Sequence, residues 1–175
     1  FTTLPGLRVV SPAFADDALG LMRNAMRSRG VTMYLEPKFL YNFKQASTFM
    51  PGAEHIVAFG KGKVRREGKD VTIVSYGSGV HISLLAAKEL EKEGISLEII
   101  DLRSLIPWDK EIVRKSVMKT NRVLVVHEDK KTGGFGGEIA AEISSAMFNY
   151  RDAPILRLCS KDTPVGFAKS YENET

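Results

Sequence analysis

Apolar positions along the chain alternate between short runs suited to strands and longer stretches at helical spacing. Leu7-Arg-Val-Val10 reads as a strand. Ser11-Pro12 follows and suits a helix start, with Ser as cap and Pro in the first turn. Ala15, Ala18, Leu19, Met22, Ala25 and Met26 then recur at helical spacing, and Gly30 ends the helix. This stripe is read as core-facing, both methionines included. Val31-Thr-Met-Tyr-Leu35 is the next strand, so residues 7–35 form a strand–helix–strand unit that favours parallel pairing.

Residues 36–60 lack a period and contain Pro37, Pro51, Gly52 and Gly60. A loop this long is uncommon inside one compact domain, so a domain boundary is the simpler reading. The rhythm returns with an edge strand at Lys63–Glu67 and a strong strand at Val71–Tyr76. Gly77-Ser78-Gly79 leads into a helix with Leu84, Leu85, Ala87 and Leu90, stopped by Gly94. Leu97–Leu102 is a strand, and Asp109 caps a helix carrying Ile112, Val113, Val117 and Met118. Val123–Val126 is a buried strand. Gly133-Gly-Phe-Gly-Gly137 then opens a helix with Ile139, Ala140, Ile143 and Met147, and Ile155–Cys159 closes the set. The alternation predicts a three-layer α/β/α fold on a mostly parallel sheet, with ligands at the carboxyl ends of its strands.

Composition narrows the class. At 175 residues the chain holds one domain, or one and a piece. It starts at Phe1 rather than Met and ends in the polar run Tyr171–Thr175, and is read as a segment of a longer protein. The net charge of +4 is shared between residues 1–60 (6 basic, 4 acidic) and residues 61–175 (19 and 17). No basic stripe results, and the runs at Lys61–Arg66 and Lys130-Lys131 read as solvated surface, so no nucleic-acid partner is expected. No apolar run approaches the roughly 20 residues of a membrane span. The one cysteine, Cys159, excludes an internal disulfide framework and a cysteine-rich zinc site. It reads as a buried structural thiol in a protein of a reducing compartment.

Candidate chemistry sits in the loops after the strands. Gly77-Ser78-Gly79 is half of a dinucleotide fingerprint, but position 82 is Ile where a third glycine belongs, so a tight turn is preferred. The Gly133–Gly137 loop opens a helix and offers N–H groups to an anion, without the Lys-Ser or Lys-Thr of a phosphate loop. Packing of Gly133, Gly134 and Phe135 against a neighbouring subunit is an equal alternative. His127-Glu128 ends a buried strand, where a His–Glu pair orienting a loop is the preferred reading. His81 opens a helix and is a pocket-lining candidate; His55 has no metal-motif partner. Arg103, after Asp101, carries a planar cation suited to carboxylates and phosphates. It is the leading channel candidate, with a salt bridge to Asp101 or another acid as its alternative. Glu36-Pro-Lys38 belongs to the same class.

These segments also carry a resemblance. Val71-Thr-Ile-Val-Ser-Tyr-Gly-Ser-Gly-Val-His81, Ile100-Asp-Leu-Arg-Ser-Leu-Ile-Pro-Trp-Asp109 and Ser116-Val-Met-Lys-Thr120 resemble 2-oxoacid dehydrogenase beta subunits. So do His127-Glu128, Thr132-Gly-Gly-Phe-Gly136, Leu4–Pro12, Leu35-Glu-Pro-Lys38 and Asp162-Thr-Pro164. The match covers nearly the whole chain in order and spacing. The Ile-Pro-Trp-Asp and Thr-Gly-Gly-Phe forms look closest to the branched-chain enzymes. Pyruvate and acetoin dehydrogenase relatives, transketolase and deoxyxylulose phosphate synthase relatives, and a non-catalytic docking module stay open.

The resemblance implies thiamine diphosphate and magnesium as cofactors of the intact enzyme. It implies decarboxylation of a 2-oxoacid and acyl transfer to a lipoyl group. The implied partners are an alpha subunit or fused alpha half, a second beta subunit and a lipoyl acyltransferase core. The implied location is the bacterial cytoplasm or the mitochondrial matrix. Residues 1–50 would be the end of a pyrimidine-binding domain, 51–62 a linker, and 63–175 a transketolase C-terminal-type domain lacking its last helix. The family's catalytic glutamate and its metal-diphosphate motif have no counterpart here, so no catalytic, cofactor-binding or metal residue is expected in the chain. Arg103, Lys38 and His81 would line the substrate channel. His127, Glu128, Gly133, Gly134 and Phe135 would form a loop at an interface.

Overall fold

Two sheets organise the protein in a computed structural model, which describes residues 1–166. The polar run at Tyr171–Thr175 and the end of the expected second domain lie outside the described residues. The smaller sheet is built from β1 (Arg8–Val10) and β2 (Thr32–Tyr34), paired in parallel and linked by α1 (Ala15–Arg27). The larger sheet runs in the order β3-β5-β4-β7-β8. Its strands are β3 (Lys63–Arg66), β4 (Val71–Ser75), β5 (Leu97–Asp101), β7 (Val123–Lys130) and β8 (Leu156–Ser160). Only β3 is antiparallel, along β5. The helices α2 (Ser78–Glu91), α3 (Lys110–Thr120) and α4 (Gly136–Ala146) cover the larger sheet.

The expected α/β/α class and parallel sheet are observed. Val74 and Val125 point to one face and pack with Val113, Val117, Ile139 and Ile143 from α3 and α4. Ile73, Ile99 and Val126 point to the other and pack with Val80 and Ala87 of α2. Apolar residues on both faces are what a covered parallel sheet requires. Asp109 caps α3 as expected, accepting from the N–H of Ile112 at 3.1 Å.

A strand that sequence reading missed completes the smaller sheet. β6 (Ser104–Ile106) runs antiparallel to β1, with Val9 opposite Ile106. Three residues before a proline carry too little alternation to be recognised as a strand.

Three other expectations change. The buried face of α1 is Asp17, Gly20 and Leu21 rather than the methionine stripe; Met26 is 80% exposed and Met22 borders on exposed. Asp17 enters a buried ion cluster, which turns the helix away from its apolar period. Residues 36–60, read from the sequence as without periodic structure, hold short elements. They form two 3₁₀ turns, Lys38–Asn42 and Lys44–Ala46, and Val57 packs between Val10 and Leu21. Asn24 of α1 donates to the Val57 carbonyl at 2.9 Å and Arg23 to that of Gly52 at 2.7 Å. Cys159 is only partly buried, because the edge strand β8 exposes Leu156 and Leu158 on its other face.

Candidate functional site

The carboxyl ends of β1 and β2 face those of β4 and β7 across a cleft of about 590 Å³. Its polar lining is Thr2, Ser11, Tyr34, Glu36, Tyr76, Glu128 and Asp129, with Phe135 among the apolar walls. Burial raises the Tyr76 phenol, and Asp129 and Glu128 raise it further. Tyr34 is raised by burial and by Glu36 and Asp17, and donates to the Ala18 carbonyl at 2.6 Å. Both phenols therefore stay protonated at neutral pH. Three carboxylates and no basic side chain line the cleft, so it favours cations and neutral donors over anions.

Arg103 stands beside this cleft in a buried ion network. It sits at φ +58°, uncommon for a residue other than glycine. Its backbone N–H donates to Asp101 Oδ1 at 3.0 Å. Its guanidinium donates to Asp17 Oδ1 at 2.8 Å and to the carbonyls of Lys61 and Gly62 at 3.0 Å each. Arg65 pairs with Asp17 and, at 2.8 Å, with Asp101, and its guanidinium lies 3.9 Å from the centre of the Phe14 ring. Burial raises the Asp101 carboxyl to about 6, against the pull of Arg65. The salt-bridge alternative for Arg103 is thus present, with Asp17 as the partner. Sequence reading missed Asp17 and Arg65; an acid on the apolar side of α1 and an arginine in an edge strand gave no signal before their strands were brought together.

His81 is 2% exposed, and its Nε2 lies 2.6 Å from the Ala13 carbonyl oxygen. Phe14 and Phe43 flank its ring with centroids at 4.6 and 5.1 Å. Burial lowers its pKa, and nearby Arg65 adds to that. Lys38 is exposed at the start of the first 3₁₀ turn. Arg103, Lys38 and His81 are not among the lining residues of the cleft between the sheets or of the four other cavities described.

The expected His127–Glu128 pair is replaced by a different arrangement. Strand alternation sends neighbouring side chains to opposite faces. Glu128 accepts from the Ser78 hydroxyl at the start of α2. His127 is 3% exposed, lies nearly parallel to Tyr76 at 6.1 Å, and has no hydrogen-bond partner at either ring nitrogen. The glycine-rich loop packs onto this ring. A Cβ on Gly134 would sit 2.8 Å from His127 Cε1, and one on Gly136 would overlap the Nε2–Cδ2 edge. These two glycines serve close packing within the chain, while Gly133 is exposed at φ +75° and Phe135 is buried in the core.

The first glycine turn is likewise filled by protein. Gly77 has φ +55°, and a Cβ there would meet Ser11 Oγ at 2.9 Å and Pro37 Cγ at 3.1 Å. Among the described residues no group of three or more His, Cys, Asp or Glu side chains is placed to hold a metal ion. The residues present do not fit a magnesium-bound diphosphate: Gly77, Gly134 and Gly136 are closed by protein atoms and the cleft is acidic.

A family model described as "Transketolase, C-terminal domain" matches residues 60–175. The chain belongs to the transketolase C-terminal domain family. The larger sheet and its helices fall in that span. A mitochondrial 2-oxoisovalerate dehydrogenase subunit beta 2 of Arabidopsis thaliana is 44% identical over 94% of this chain and 45% of its own. A mitochondrial pyruvate dehydrogenase E1 subunit beta of Dictyostelium discoideum is 43% identical over 99% and 49%. The 2-oxoisovalerate dehydrogenase subunit beta of Bacillus subtilis is 40% identical over 94% and 50%. These relatives bear out the resemblance to 2-oxoacid dehydrogenase beta subunits. The chain spans about half their length. A solved split-gene transketolase, described as an inactive beta4 tetramer, superposes with a TM-score of 0.77 at 28% identity, over 99% of this chain and 53% of that one. No described helix is long and apolar enough to cross a membrane.

Proposed function

We propose that the chain is the C-terminal part of the beta subunit of a thiamine diphosphate-dependent 2-oxoacid dehydrogenase. That enzyme decarboxylates a branched-chain 2-oxoacid and passes the acyl group to a lipoyl acyltransferase. The observation that carries this reading is identity of 40–44% to such beta subunits over 94–99% of the chain. Bound thiamine diphosphate supplies the carbanion chemistry. Its ligands are proposed to lie on residues other than these, a reading supported by the acidic lining of the cleft.

In this reading residues 1–50 complete a pyrimidine-binding domain, 51–62 connect it, and the rest forms the second domain. The partners are an alpha subunit or alpha half, a second beta subunit and the acyltransferase core, in the mitochondrial matrix or bacterial cytoplasm. The ion network holds α1 against β3 and so fixes the cleft between the sheets. Arg103 acts as a positioning residue at the channel, with Lys38 on the open side and His81 beneath.

The test is an assay of the whole enzyme with branched 2-oxoacids, pyruvate and sugar phosphates. Preferred turnover of a branched 2-oxoacid supports the reading; preferred turnover of a sugar phosphate overturns it. The pyruvate enzyme is the second reading, favoured by the 43% identical Dictyostelium relative. In the same assay Arg103→Ala is expected to lower kcat or raise KM for the 2-oxoacid. Kinetics unchanged from wild type would remove Arg103 from the channel.

A further inference from the structure

A second hollow lies beside the start of α1, where the end of β2 and the two 3₁₀ turns return to it. Its volume is about 330 Å³, within the range of small-ligand sites. Small side chains create it. Ala13, Ala15, Ala18 and Ala46 line it, and Ala13 and Ala46 are buried. A methyl group fills little space, so the hollow stays open between Phe14, Tyr34 and Tyr41. The Tyr34 hydroxyl donates to the Ala18 carbonyl at 2.6 Å and ties β2 to α1 across it. Phe14 is held from behind by the His81 ring, with centroids 4.6 Å apart.

One charged side chain, Glu36, is among the lining residues, and no basic one is. Glu36 and Tyr41 are both exposed, so they stand at the mouth. Glu36 Oε2 accepts from the Tyr41 hydroxyl, while Oε1 accepts no hydrogen bond among the described residues. The carboxylate raises the phenols of both Tyr34 and Tyr41, which sets its charge beside both rings. Arg65, 3.9 Å from the centre of the Phe14 ring, is matched by Asp17 and Asp101. Lys38 is exposed and does not line the hollow.

We propose that this pocket binds a small free organic cation, with an ammonium group at Glu36 and an apolar body among the alanines. The carboxylate repels an anion, and a neutral apolar molecule leaves its free oxygen unused. Aromatic rings add attraction where a cation meets their faces. A volume of about 330 Å³ takes a whole small molecule rather than a single group. Glu36 also lines the cleft between the sheets, whereas Ala15 lines the pocket and not the cleft. The proposal goes beyond the activity proposed above, and binding is read without turnover, so the two fail separately.

The test titrates the intact protein with butylammonium and follows binding by saturation-transfer NMR. Methylammonium, 1-butanol and butyrate are the comparisons. Each buried methylene is worth about fourfold in affinity, so butylammonium should bind up to about fiftyfold tighter than methylammonium. It should bind about tenfold tighter than 1-butanol or butyrate, the share of the charged contact. Glu36→Gln keeps an acceptor for Tyr41 and should remove the preference over 1-butanol. Ala15→Leu, at an exposed position in the first turn of α1, fills the pocket and should abolish butylammonium binding.

Four results would overturn the proposal. The first is 1-butanol bound as tightly as butylammonium. The second is a preference unchanged in Glu36→Gln. The third is binding unchanged in Ala15→Leu, which would move the cation to the cleft. The fourth is Nα-acetyl-lysine methylamide bound more tightly than butylammonium, which would assign the pocket to a lysine of a partner chain. If circular dichroism shows either variant unfolded, the comparison of butylammonium with 1-butanol on the native protein decides alone.

Discussion

Asp17→Asn is the substitution that most directly tests how the two sheets are joined. Asp17 is 1% exposed on α1 and is held by Arg65 of β3 and by Arg103 beyond β5. The change keeps the shape but removes the negative charge and points an amide NH₂ at a guanidinium. Breaking a buried ion pair from one side costs about 3–5 kcal/mol. Here the two cations keep part of their company. Arg65 retains Asp101 at 2.8 Å, and Arg103 retains the carbonyls of Lys61 and Gly62. Asp101 also loses a repelling neighbour, which lets its carboxyl ionise more easily. The loss therefore falls at the low end, about 3 kcal/mol. Urea unfolding measures it: with a slope of about 2 kcal/mol/M the midpoint drops by about 1.5 M. Glu54→Gln, at an exposed position, is the control and should stay within about 0.5 kcal/mol. A loss below about 1 kcal/mol for Asp17→Asn would refute the view that this cluster clamps the sheets together.

Further outcomes follow from the same structure. Gly136→Ala places a methyl group into the His127 ring and should destabilise by about 1–3 kcal/mol, read by thermal unfolding. Thr72→Val leaves the hydroxyls of Ser116 and Thr120, now 2.6 and 2.7 Å from Thr72 Oγ1, without their buried partner. Its cost is about 1–3 kcal/mol in urea unfolding, whereas restoring the partner with Thr72→Ser should recover much of it. His81 and His127 both have pKa values lowered by burial, so the unfolded chain binds more protons below pH 6.5. Their contribution to stability is constant above that pH and is lost as pH falls from about 6.5 towards the folded values. Asp101 works in the opposite sense: its folded value of about 6 lies above the unfolded one, so stability is gained as pH falls from about 6 to 4. Unfolding midpoints of wild type and His81→Gln across pH 5 to 8 should converge in slope above pH 7 and diverge below 6.5; parallel curves would contradict the histidine assignment.

Much of the architecture was legible in the residues themselves. Val71–Ser75, Leu97–Asp101 and Val123–Val126 are dense in β-branched and aliphatic side chains, and a strand covered on both faces needs little else to be recognised. Asp109 announced its helix because a side-chain cap is a local bond. The glycines at 77, 79, 134 and 136 marked strand-to-helix turns, since close approach and positive φ are backbone demands that one residue type meets.

What the sequence left undecided depended on partners far away along the chain. Arg103 finds Asp17 across 86 positions, and Arg65 finds it across 48; until α1, β3 and β5 come together these are only scattered charges. β6 exists because β1 offers it an edge, and Met26 is exposed because Asp17 sets the rotation of its helix. His127 and Glu128 were read as a pair because they are adjacent, but the pleat of β7 sends them to opposite faces and gives His127 to Tyr76 and the glycine-rich loop instead. Local periodicity and backbone geometry are written in consecutive residues and were determined there. Charge pairing and the occupancy of a strand face are sums over distant segments, and only the tertiary structure decided them.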